Sequence, residues 1–189
     1  MASTRGLLEI AASFTPVPVG VKAVPPGTLT TPVSVDAQQL QALIVAALHA
    51  TAPQVIWYDH DGDVLVHVDR TVVALFEGVV LVGLTLETEQ TGVGQVAVPL
   101  SVGSPQFAAG LLVMTESRPR GPVALVDRWG DAAVAASWRA LIDAAHALAL
   151  QTGIDASGAR LVPGALSTDG KTFTVVPQAR HAIDAVVGR

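Results

Sequence analysis

The chain has 189 residues, 50% apolar and 14% charged, with no cysteine. That length supports one sizeable core and excludes two large domains, and the missing cysteine excludes disulfides, thiolate metal sites and a cysteine nucleophile. The net charge of −5 comes from one stretch, because Ala23 to Asp69 holds no Lys or Arg but five acids (Asp36, Asp59, Asp61, Asp63 and Asp69), while the other eleven acids match the eleven bases.

No basic stripe exists for a phosphate backbone, so a nucleic-acid partner is not expected. The charged share is about half the usual quarter, so part of the surface is expected to face another protein. The absence of asparagine and the preference for Arg over Lys fit a GC-rich, bacterial coding sequence. The most apolar windows, Leu40 to Leu48 and Val79 to Leu86, fall far short of the ~20 residues that a bilayer span needs. Glu9 interrupts the apolar run after Arg5, so no signal peptide is expected, and a cytoplasmic location follows.

Residues 1–35 read as an extended arm. Pro16, Pro18, Pro25, Pro26 and Pro32 interleave with Val and Thr, which favours extended or polyproline conformations. The valines favour a strap lying across a neighbour over a solvated tail. Residues 36–153 form the expected core domain. Asp36 caps a helix running to His49, Gln39 sits at the capping-box position, and Leu40, Leu43, Ile44, Ala47 and Leu48 form one stripe. Its opposite side has no Lys, Arg or acid and is expected to be covered as well.

Val55 to Thr115 alternates short Val/Leu/Ile runs with Asp-Gly, Glu-Gly and Gly-Val-Gly turns, the pattern of an antiparallel meander. A two-residue turn at Asp61-Gly62 pairs His60 with Asp63, Tyr58 with Leu65 and Ile56 with His67. Val55, Trp57, Val64, Val66 and Val68 then share the core face, and Ile56, Tyr58, His60, Leu65 and His67 the other. Glu77-Gly78 is the next tight turn and pairs Phe76 with Val79. Val79 to Val82 is apolar on both faces, whereas Gln95 to Val102 alternates cleanly. Pro99 places that last strand at an edge or a bulge, since it cannot donate to a ladder. Leu111 to Met114 is again apolar on both faces. An antiparallel sheet with one wet face alternates throughout, so these runs imply a cover for the second face. A second copy of the chain is the simplest one.

After the basic loop Arg118 to Pro122, Val123 to Val126 reads as a last strand, and Asp131 caps the longest helix, to about Gln151. Its stripe is Val134, Trp138, Leu141, Ile142, Ala145, Leu148 and Ala149, with Arg139, Asp143 and His146 on the wet side. Gly153 stops it. Residues 154–189 form a hairpin turning near Asp169-Gly170, followed by a short helix from Pro177 with Ile183, Val186 and Val187 inward. The expected fold is therefore α+β: an antiparallel meander of about six or seven strands packed against two long helices, with an extended amino-terminal arm.

The motif-like stretches weigh against chemistry. Ala165 to Thr172 imitates a phosphate loop, but a strand and Pro177 follow where a helix is required. Gly92 to Ala97 imitates a dinucleotide loop and is likewise followed by a strand. Asp59-His-Asp-Gly-Asp63 concentrates carboxylates, yet its glycine comes two residues early for a calcium loop and the twelfth position is Arg70. His60 and His67 share a face about 13 Å apart, too far to ligate one ion. No elbow or zinc-helix signature is present. No cofactor or metal is expected. Trp57, Trp138 and Phe76 are assigned to the core; Trp129, beside Gly130 in a loop, is the aromatic nearest to a surface, with packing still the favoured reading.

The first expectation is a non-enzymatic, self-associating assembly or scaffold component, a homo-oligomer of two or more copies. Its interface residues would be Asp59, Arg118, Arg120 and Trp129, with the acidic hairpin tip docking on the basic loop across a subunit boundary. The alternative is an enzyme or small-ligand binder with an apolar pocket between sheet and helices. Tyr58, His60, Asp61, Asp63 and His67 are its candidate binding residues.

Overall fold

The computed structural model describes residues 31–50, 55–59, 62–106, 118–151 and 160–180. The arm up to residue 30, the run Leu111 to Met114, the stop at Gly153 and the helix around Ile183 lie outside the described residues. The fold is α+β: among the described residues, antiparallel strands form two joined sheets, with two helices.

The chain enters as strand β1 (Val33–Asp36), so the last residues of the expected arm belong to a sheet. Helix α1 (Ala37–His49) follows, capped as its sequence implies. The Asp36 carboxylate accepts from the Gln39 N–H at 2.8 Å, and the Gln39 side chain accepts from the Asp36 N–H at 3.1 Å. Two otherwise orphaned donors are satisfied in one exchange. Leu40, Ile44 and Leu48 are its buried side chains, each worth about 1.5–3 kcal/mol of burial.

The meander comprises β2 (Val55–Asp59), β3 (Gly62–Val66), β4 (Val72–Phe76), β5 (Val79–Thr88) and β6 (Gly92–Ser101). β3 and β4 lie end to end along the same side of β5. Between them, five residues (67–71) oppose two on β5 (84 and 85), and the surplus is taken up in a 3₁₀ turn at Val68–Arg70. The first hairpin differs from expectation: Asp59 pairs with Gly62, Tyr58 with Asp63 and Trp57 with Val64, a register two residues away from the one the Asp61-Gly62 turn implied. Parity is unchanged, so Trp57, Val64, Leu65 and Val66 keep their expected faces. Phe76 pairs with Val79 as expected.

Val123 to Val126 is not a strand. It opens helix α2 (Val123–Gln151), 29 residues long. The Leu125 and Val126 N–H groups donate to the Pro122 carbonyl, and Asp131 lies inside the helix instead of capping it. Gly130 lowers helix propensity by about 1 kcal/mol, but helical continuity buries Leu125 and Trp129, which is worth more. By length and apolarity α2 meets the requirement for a bilayer span. Here it packs on α1, β6, β7 and β8 through Ala133, Ala140, Leu141, Ala144 and Leu148.

β7 (Arg160–Thr168) and β8 (Thr172–Arg180) form a hairpin, and β1 completes a three-stranded sheet in the order β1-β8-β7. Pro177 sits inside β8 opposite Pro163 and does not begin a helix. The phosphate-loop lookalike is this hairpin's turn, and the dinucleotide lookalike is the start of β6. The sheets are stitched at one corner, where Gly103 donates to Leu166, Thr168 to Gly103 and Gly78 to Thr168, at 2.9–3.0 Å. One core results. Val64, Val80, Val82, Leu84, Leu86, Val96, Val98 and Leu100 from the meander meet Leu40, Ile44, Leu125 and Leu141 from the helices, all essentially unexposed.

Candidate interaction surface

With the inner face of the meander filled, strand alternation decides what its outer face presents. Val72, Ala74 and Phe76 of β4, Val79, Leu81, Gly83 and Thr85 of β5, and Ala97, Pro99 and Ser101 of β6 share that face. Phe76 is 54% exposed and Val72 48%. Leu81, Val79, Ala97 and Pro99 around them are half-buried. Gly83 is roofed by its neighbours, since a Cβ there would meet Val72 Cγ2 at 2.7 Å and the Gln95 amide at 3.0 Å. None of these residues is charged.

The edges of the face carry the charge. The Ala97 N–H donates to the Arg120 carbonyl at 2.7 Å and the Arg120 N–H returns to Ala97 at 2.9 Å, so Arg118–Arg120 lies against the free edge of β6. This explains Pro99: the Ala97 N–H points away from β5, and the ring two residues on faces the same way, removing no bond to β5. Partners in an antiparallel bridge share a face, so Arg120 lies on the side of Ala97. Pro119 lies on the other side, its ring within reach of a Cβ added at Gly130 of α2. At the opposite corner, His67 Nε2 and Glu87 Oε2 are 2.6 Å apart, and Asp63 is exposed.

The expected site residues are thus dispersed. His60 and Asp61, and the side chains of Tyr58 and Asp59, lie outside the described residues. By register Tyr58 is opposite Asp63. Arg120 stands at the level of Gly83 and Asp63 lies beyond Glu87. Those positions are more than four residues apart along β5, at least about 13 Å, and several strands apart across the sheet, so the basic loop and the acidic hairpin do not meet within one chain.

The cation that does reach the hairpin is Arg128, whose Nη2 donates to the Gly62 carbonyl at 3.4 Å. Its guanidinium lies 5.1 Å from the centroid of the Trp129 ring. Trp129 lies in helix α2 instead of a loop and is packed: it is 4% exposed and tilts against Trp57, ring centroids 6.4 Å apart, so it is not available as an interface residue. Phe76, assigned to the core, takes the exposed place.

The space between sheet and helices is packed with side chains. An open cleft of about 210 Å³ lies at the end of the sheet, lined by Thr88, Gln90, Thr91, Ala124, Leu125, Arg128 and Trp129. Neither Asp63 nor His67 belongs to its walls. No family model, curated protein or solved structure matches the chain.

Proposed function

We propose that this protein is a non-enzymatic assembly component that binds a second copy of itself through the outer face of the meander. The observation that carries this reading is the pair Phe76 and Val72, about half exposed at the two ends of edge strand β4 on an uncharged face. Two identical faces of this kind meet without like charges opposed, in a chain whose net charge would otherwise repel a copy.

The magnitudes set what such contact achieves. Fully burying a Phe or Val side chain is worth about 1.5–3 kcal/mol. The exposed halves of Phe76 and Val72 on two copies therefore supply roughly 4 kcal/mol, near the lower end of the ~4–15 kcal/mol lost on association. The half-buried Val79, Leu81, Ala97 and Pro99 supply the remainder, so association is concentration-dependent.

Sedimentation velocity across a wide concentration range tests the proposal. The wild-type mass is expected to rise to two or more chains, and Phe76→Lys to remain a monomer with an unchanged far-ultraviolet dichroism spectrum. A wild-type chain that stays monomeric at every concentration overturns it.

A further inference from the structure

We draw no further inference here: the strongest candidate, the open cleft of about 210 Å³ between the β5–β6 turn and the first two turns of α2, has its arginine already held against Trp129 and Gly62 and the one buried indole N–H in its wall shut off from its space, so nothing in it shows what it would hold.

Discussion

Arg128 lies over the indole of Trp129, 5.1 Å from the ring centroid, and reaches past it to the Gly62 carbonyl. One side chain thereby joins the second turn of α2 to the tip of the first hairpin, with Trp57 of β2 leaning on the same indole. A cation over an aromatic face is worth about 0.5–1 kcal/mol at a partly exposed site, and the stem of the arginine adds packing. Arg128→Ala is expected to lower unfolding free energy by about 1–2 kcal/mol and to alter tryptophan emission, because Trp57 and Trp129 share the loosened contact. Urea unfolding followed by fluorescence and by dichroism checks both effects.

Two glycines hold the start of α2 to β6 by leaving no room for a side chain. A Cβ at Gly121 would stand 2.5 Å from the Gln95 carbonyl oxygen, and one at Gly94 would stand 2.6 Å from Leu125 Cδ1. The first obstacle is main chain inside a strand; the second is the end of a leucine that can turn aside. Overpacking costs about 1–3 kcal/mol, so Gly121→Ala is expected near or above the top of that range and Gly94→Ala near the bottom. Gly92 provides the contrast: nothing lies within 4 Å of an added Cβ, but its φ is +66°. Gly92→Ala then costs only the backbone strain, about 1 kcal/mol. Denaturation midpoints of the three variants give the ordering.

What the sequence disclosed follows from where its signals were local. Asp36 with Gln39, Glu77-Gly78 and Asp169-Gly170 each encode a cap or turn within four residues, and each forms as read. Alternation along Gln95 to Val102 identified the buried face of β6, and Pro99 its free edge. The failures are tertiary overrides. Val123 to Val126 has strand-like composition and Gly130 looks like a break, yet both are absorbed into a helix once Leu125 and Trp129 have a sheet to bury against. Period two also cannot say which of two apolar faces is covered, which is why Phe76 reads as core in the sequence and is exposed in the fold. Arg128 gave no signal, because its partner Gly62 is 66 residues away.

The β7–β8 turn is the place where acid should act on the fold. The Asp169 carboxylate accepts from the Thr172 N–H at 2.7 Å, the Lys171 N–H at 2.8 Å and the Thr172 hydroxyl at 3.3 Å. These bonds, the one from the Thr172 N–H foremost, hold its pKa below the ordinary value of 3.8. A carboxylate depressed in the folded state stabilises fully above its unfolded pKa and loses that contribution as pH falls through the folded value. The melting-temperature gap between wild type and Asp169→Ala is therefore expected to be constant near neutrality and to shrink below about pH 4. Asp169→Asn keeps an acceptor oxygen but no titration, so its melting curve should run parallel to that of Asp169→Ala across the same range.

If copies meet through the outer face, the edge along β6 determines how fast. Arg120 lies on that side through its bridge with Ala97, and Arg118 and Arg120 are exposed cations on a chain of net charge −5. Exchanging both for glutamate deepens the negative field without touching Phe76 or Val72. Edge charges govern encounter rates more than final affinity, and salt screens them over roughly 8–10 Å near physiological ionic strength. Arg118→Glu with Arg120→Glu is thus expected to slow reassociation after dilution jumps at low salt by tenfold or so, and to converge on the wild-type mass distribution in high salt. Phe76→Lys should stay monomeric in both conditions, because screening restores a rate but not a lost apolar contact. Light scattering with a salt series separates the two: a double-glutamate variant that remains monomeric in high salt would make the β6 edge itself part of the contact and move its centre away from Phe76.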